Sequence, residues 1–165
     1  MRTLLLNLPW SPNGRFGVRA GSRWPFTAPA EDNGYIKYIP FPFFLAYAAA
    51  LLKKNNHEAL LIDSIARRMD LQRVLDEIGT YGPGLILIET STPSFHNDME
   101  MVSAIRRKMP GCRIALCGSH ATVFAKNVLD EFECVDYILM GEYEYTLLDL
   151  VERLERNDAL GQVKG

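Results

Sequence analysis

The stretch Gly84-Leu85-Ile86-Leu87-Ile88-Glu89-Thr90-Ser91-Thr92-Pro93-Ser94 carries the reading of the fold. Four large aliphatic residues follow one another with no polar alternation, as suits a strand covered on both faces. The run then stops at an acid and a cluster of hydroxyl residues around a proline, a turn composition. Runs of the same kind recur at residues 3–8, 59–62, 114–117 and 137–140. Between them lie helical patterns at residues 43–55, 71–78, 99–109 and 143–154. Strand and helix in alternation predict an α/β fold with a five-stranded parallel sheet between two helix layers. Five strands with no second half predict the flavodoxin-like order, a Rossmann-like three-layer sandwich.

Residues 43–55 are apolar almost all round, so the first helix is expected to be buried, with Lys53 and Lys54 complementing the dipole of its last turn. Gly111, just after Met109-Pro110, marks the end of the third helix. Residues 9–41 show no periodic pattern and are rich in Pro and Gly, which predicts a long loop after the first strand. That loop carries Arg15, Arg19 and Arg23 with Trp10, Phe16, Trp24 and Phe26. Arginines and aromatics together suit a flat or anionic ligand, and a solvated cover over the sheet edge is the simpler alternative.

The chain has 165 residues, enough for one domain, and 48% of them are hydrophobic. A net charge of −2 argues against a general nucleic-acid or polybasic membrane surface. Cys112, Cys117 and Cys134 are odd in number and lack metal-type spacing, so a disulfide framework and a zinc site are poor readings. Cys117 sits in an apolar run and is expected to be a buried free thiol. The first apolar run is too short for a signal peptide, and no run is long enough to span a bilayer, so the default expectation is cytoplasmic.

In an open α/β sheet, ligands sit beyond the carboxyl ends of the strands. Those ends read Asn7-Leu8-Pro9, Glu89-Thr90-Ser91-Thr92, Cys117-Gly118-Ser119-His120 and Met140-Gly141-Glu142. Gly118 and Gly141 are expected to let backbone approach a bulky ligand. Ser91 and Thr92 offer hydroxyls to a ligand or to the cap of the next helix. The place after strand one reads Pro9-Trp10-Ser11-Pro12-Asn13-Gly14, which is neither a dinucleotide fingerprint nor a compact phosphate loop. No acidic pair stands there either, which excludes a phosphoacceptor site of the response-regulator kind. Asp63 ends strand two and either meets a ribose or, more simply, caps the following turn. His57 and His96 are expected near the surface, whereas His120 follows Gly118 at a strand exit, where it either meets a ligand or is a satisfied structural histidine. No Ser-His-acid or Cys-His set can be assembled, and no catalytic residue is assigned.

Phe43-Phe44-Leu45-Ala46-Tyr47-Ala48-Ala49-Ala50-Leu51-Leu52-Lys53, His57-Glu58-Ala59-Leu60-Leu61-Ile62-Asp63, Gly118-Ser119-His120-Ala121-Thr122 and Val135-Asp136-Tyr137-Ile138-Leu139-Met140-Gly141-Glu142-Tyr143-Glu144 together resemble the N-terminal cobalamin-binding domain of radical S-adenosylmethionine enzymes. These include methyltransferases and the anaerobic Mg-protoporphyrin monomethyl ester cyclases. That family usually shows Gly-Gly-x-His-x-Thr and Gly-Glu-x-Glu in the last two places; here Ser119 stands near the paired glycine, so the fit is partial. The resemblance implies a base-off cobalamin whose corrin ring lies over the strand exits and whose nucleotide tail runs beside the sheet. Its contacts would come from Leu8, Pro9, Ser91, Thr92, Gly118, Ser119, His120, Gly141 and Glu142, with Arg23 and Trp24 from the loop. The Asp-x-His-x-x-Gly motif that supplies a lower cobalt ligand in other cobalamin domains is absent after strand one, so no protein metal ligand is expected. The resemblance also implies a domain over residues 1–158. Residues 159–165 would begin a linker to a barrel holding a 4Fe-4S cluster and S-adenosylmethionine. The chain by itself is expected to have no catalytic activity. Rival readings are a nucleotide- or nucleotide-sugar-binding domain with Thr90 to Ser94 on phosphate, and a non-catalytic protein-interaction domain.

Overall fold

The computed structural model describes residues 1–11, 15–18, 26–28 and 39–163. Five parallel strands form the sheet: β1 (Thr3–Asn7), β4 (Ala59–Asp63), β5 (Leu85–Glu89), β6 (Arg113–Cys117) and β7 (Tyr137–Ile138). Their spatial order is β4-β1-β5-β6-β7, the flavodoxin-like order expected from the sequence. Strands β2 (Phe16–Val18) and β3 (Phe26–Ala28), within the long segment after β1, pair antiparallel as a separate ribbon that its composition did not indicate. Three-residue strands are too short to give a period, which is why the sequence hid them.

The helices are α1 (Phe43–Lys54), α2 (Leu71–Tyr81), α3 (Phe95–Lys108), α4 (Ser119–Val123), α5 (Ala125–Glu131) and α6 (Glu144–Arg156). Helix α2 starts at Asp70, whose carboxylate accepts the Arg73 backbone N–H at 2.9 Å, and ends at Gly82 with φ of +60°. Helix α3 begins four residues before the predicted position, because a 3₁₀ turn over Thr92–Ser94 feeds straight into it. Helices α4 and α5, unforeseen in the sequence, are short and meet at Phe124.

Alternation along each strand sorts the core into two halves. Leu4, Leu6, Ile86, Ile88, Ile114 and Leu116 face α2, α3 and α5, joined by Val74, Ile78, Val102 and Ile105. Leu5, Leu85, Leu87, Ala115 and Cys117 face α1 and α6, joined by Leu45, Leu52, Leu147 and Val151. Each buried aliphatic side chain contributes roughly 1.5–3 kcal/mol relative to exposure, so the two layers together outweigh any single polar contact. Cys117 is fully buried and free, as expected.

The first helix departs from its expected burial. Leu45, Ala48, Ala49 and Leu52 pack inward, but Phe43, Phe44 and Tyr47 are about half exposed. An all-round apolar pattern does not by itself say which side meets a neighbour.

The edge strand β7 is held at its start by a polar clamp. Arg106 donates to the carbonyls of Cys112 at 2.6 Å and Cys134 at 3.0 Å, and pairs with Asp136. Asp136 in turn accepts the Ile114 N–H at 2.7 Å. The far end of the sheet is tied down where His57 lies 3.2 Å from Glu155 and the N-terminal ammonium meets the same carboxylate.

Leu87 lies at 0% exposure in the middle of the central strand. Leu87→Ala is expected to destabilise the fold by about 2–5 kcal/mol. Chemical denaturation would show this as a lower midpoint with an unchanged slope.

Candidate functional site

The carboxyl ends of β1, β5, β6 and β7 lie side by side along one edge of the sheet. At the β5 exit the hydroxyls turn inward. Thr90 Oγ1 and Ser94 Oγ each donate to Asp98 Oδ2 at 2.7 Å, and Ser91 Oγ lies 2.9 Å from Ser94 Oγ. Asp98 is fully buried at the start of α3, where the helix dipole favours its charge. Ser91, at 5% exposure, therefore serves this network. Thr92 is exposed, and its Oγ1 lies 3.2 Å from His120 Nδ1.

At the β6 exit, Gly118 has φ of +98°. A Cβ there would stand 2.3 Å from the Thr90 carbonyl oxygen, and Thr90 N–H donates to the Cys117 carbonyl at 2.9 Å. The space a side chain would need is thus taken by the neighbouring exit, so Gly118 permits strand–strand approach first. Gly141 is different: it has φ of +65° and open space where a Cβ would be. Thr122 joins the two. Its hydroxyl donates to the Gly118 carbonyl at 2.9 Å and accepts the Gly141 N–H at 3.0 Å. The sequence reading quoted Thr122 in a motif but gave it no role; a hydroxyl four residues after a strand-exit glycine was the available signal.

His120 stacks on Phe95, with ring centroids 3.9 Å apart and planes at 26°, and Phe124 lies 4.7 Å away. Burial, with a smaller push from His96, lowers its pKa, so the ring is neutral at pH 7. Leu8 is fully buried in the core on the α2 and α3 side. Pro9 is buried too, and its carbonyl accepts the Asn97 amide at 3.0 Å. Ser119 is exposed. Glu142 is exposed toward α1, beside Tyr47, Leu51, Glu144 and Tyr145 around a cavity of about 330 Å³. Ser91, Thr92, Gly118 and His120 therefore form one group, Gly141 joins it through Thr122, and Glu142 stands apart. Arg19, Arg23 and Trp24 lie outside the described residues.

Asp63 performs the simpler of its two expected roles, with Oδ1 accepting the Ala66 N–H at 3.2 Å and the Asn7 amide at 2.9 Å. Below the exits, on the α1 and α6 side, burial pushes the Cys117 thiol and the Tyr143 phenol upward, with Glu89 adding to both. A thiol held protonated in this way is no nucleophile. Among the described residues no group of three or more His, Cys, Asp or Glu side chains is placed to hold a metal ion.

The edge is rimmed with apolar side chains. Phe41, Phe43, Phe44, Tyr47, Val123, Phe124, Met140 and Tyr145 are each more than 40% exposed. Phe43, Phe44, Tyr47 and Tyr145 belong to the first turns of α1 and α6, Val123, Phe124 and Met140 come after the β6 and β7 exits, and Phe41 immediately precedes α1. The edge thus offers a broad apolar rim around a few hydroxyl groups and the exposed Gly141. Such a surface holds a large flat ligand by contact and orients it with sparse hydrogen bonds.

The Asp98 network generates a prediction. Asp98→Ala leaves the buried Thr90 hydroxyl without its acceptor and Ser94 Oγ with only Ser91, and a loss of roughly 1–3 kcal/mol is expected. Thermal unfolding measures it, and Asp98→Asn, which keeps one acceptor, should recover part of the loss.

The B12 binding domain family model matches residues 33–151. The chain is 27% identical over 128 residues to an anaerobic magnesium-protoporphyrin IX monomethyl ester cyclase of Cereibacter sphaeroides, covering 75% of this chain and 21% of that one. It is 23% identical over 124 residues to an uncharacterised methyltransferase of Pyrococcus horikoshii, covering 75% of this chain and 27% of the relative. Among solved structures, the cobalamin-dependent S-adenosylmethionine radical enzyme OxsB with aqua-cobalamin and S-adenosylmethionine bound superposes with a TM-score of 0.75 at 16% identity. That match covers 99% of this chain and 20% of OxsB, so the chain spans about a fifth to a quarter of the length of these three proteins. The matched region holds the β5, β6 and β7 exits and the aromatic start of α1, and on that match the chain belongs to the B12 binding domain family.

Proposed function

We propose that this chain binds cobalamin, base-off, over the carboxyl edge of its sheet, as the corrinoid-holding part of a longer radical S-adenosylmethionine methyltransferase or cyclase. The observation that carries the proposal is the apolar rim around the Gly118 and Gly141 exits. A corrin is broad, flat and apolar across its face, with amide arms at its periphery. The rim suits the face, and the arms find Thr92 Oγ1, Ser119 and the open space at Gly141. Leu8 backs the β1 exit from inside the core, Pro9 stands at that exit, and Glu142 bounds the side toward α1. Arg23 and Trp24 belong to the same proposal from the loop. When bound, cobalamin supplies a cobalt-centred methyl or electron carrier, and the protein supplies binding and orientation. Cobalt receives no histidine from this chain in this reading. His120 is stacked on Phe95 with Nδ1 beside Thr92, which makes it part of the wall.

The proposal accounts for the rim better than a phosphate-binding reading does. Thr90 and Ser94 already donate to the Asp98 carboxylate, and a phosphate placed there would meet a buried negative charge. The cluster and S-adenosylmethionine of the full enzyme belong to a further domain in this reading. The chain alone, reconstituted with iron, sulfide, cobalamin and S-adenosylmethionine, is expected to form no 5′-deoxyadenosine.

Titration with hydroxocobalamin, followed by visible spectroscopy and by colour retained after desalting, tests the binding. A retained base-off spectrum is expected. Folded protein that retains no corrinoid, oxidised or reduced, overturns the proposal. His120→Ala should weaken binding about three- to tenfold and leave the cobalt spectrum unchanged. A change from a histidine-ligated to a base-off spectrum would show that His120 is a cobalt ligand after all.

A further inference from the structure

A second cavity of about 420 Å³ opens on the other side of β1, between the β1 and β4 exits and the starts of α2 and α3. Its volume falls within the range of small-molecule sites. Trp10, Met69 and Met101 supply its apolar walls. Trp10 is only 7% exposed and is pinned from behind: Gly17 donates its N–H to the Trp10 carbonyl at 2.7 Å, and a Cβ on Gly17 would stand 2.2 Å from the indole. The wall is therefore built and held before any ligand arrives.

Ser64 lines this cavity. It is fully buried, and its hydroxyl has no hydrogen-bond partner. Its backbone is satisfied, since its N–H donates to the Asn7 carbonyl at 3.0 Å and its carbonyl accepts from Met69 at 2.9 Å. A buried hydroxyl without a partner costs stability, so a group that supplies one gains from it. Arg68 and Asp70 stand on the same wall with opposite charges, and Asp70 is already engaged in capping α2. Their opposition selects neither an anion nor a cation. An indole and two thioethers favour an aromatic face.

We propose that this cavity binds a neutral heteroaromatic molecule of nucleoside size, with the Ser64 hydroxyl hydrogen-bonded to its ring edge. The inference goes beyond the corrinoid reading and does not rest on it. Adenosine is the probe, and Trp10 is the reporter in a Trp24→Phe background, where it is the single tryptophan. Saturable quenching in the millimolar range or tighter is expected, with 5′-AMP binding no more tightly than adenosine. Ser64→Ala, which removes an unpartnered group and so should fold at least as well, is expected to weaken adenosine about tenfold. Met101→Phe, which fills part of the cavity and adds no tryptophan, should weaken binding at least tenfold. With Trp24 in place, hydroxocobalamin retention should be unchanged by either substitution, and adenosine should bind the unsubstituted chain equally with corrinoid present, as read by equilibrium dialysis. Absence of saturation with folded protein, tighter binding of 5′-AMP, indifference to both substitutions, or displacement of adenosine by hydroxocobalamin would each overturn the proposal. Displacement would mean that the cavity belongs to the cofactor. Loss of corrinoid binding with adenosine binding intact would instead count against the corrinoid reading alone.

Discussion

Three strands of this sheet, β1, β5 and β6, are covered on both faces, and almost everything else follows from that. A strand with helices on either side has no solvent-facing row in which to place polar residues. Chemistry is therefore displaced to the ends, where the apolar runs stop. The carboxyl ends take the polar groups in this chain: Asn7, the hydroxyls from Thr90 to Ser94, Gly118 with His120, and Gly141. The two core halves fix the spacing of these exits, and the spacing makes neighbours of groups that lie far apart in sequence, such as Thr92 and His120.

The exits are not an open row of donors. Much of their polarity is consumed locally, by Asp98 at the β5 exit and by Thr122 between the β6 and β7 exits. What remains for a ligand is sparse: an exposed threonine hydroxyl, a serine, and open space at a glycine. Local satisfaction of this kind makes an edge rigid, because each buried partner lost leaves another group without one. A rigid, mostly apolar edge suits a large pre-shaped ligand better than a small charged one.

The sequence made the sheet legible and left its rim obscure. Leu85 to Ile88 and the four runs like it gave the strands, because continuous aliphatic runs of that length have few other uses. The order followed from their number. The rim was missed because Phe43, Phe44 and Tyr47 share a helix with Leu45, Ala48 and Leu52, and hydrophobicity alone assigns all six to a core. Helices α4 and α5 were missed because five and seven residues carry too little periodicity. At the site, Gly118 was noticed for its backbone freedom. That the freedom is used against Thr90 depends on a contact between strands 28 residues apart in the chain, which local sequence does not encode.

The brevity of β7 has a consequence for the molecule's company. A sheet ends in two outer strands, and each is a row of backbone groups that another extended chain can extend. On this side the row is only two residues long, Tyr137 and Ile138. The backbone leaves the sheet direction at once, through Met140 and the left-handed Gly141. A foreign strand would find too few groups on this side to form a ladder. The early turn that opens space at Gly141 therefore also blunts the sheet against edge-to-edge assembly.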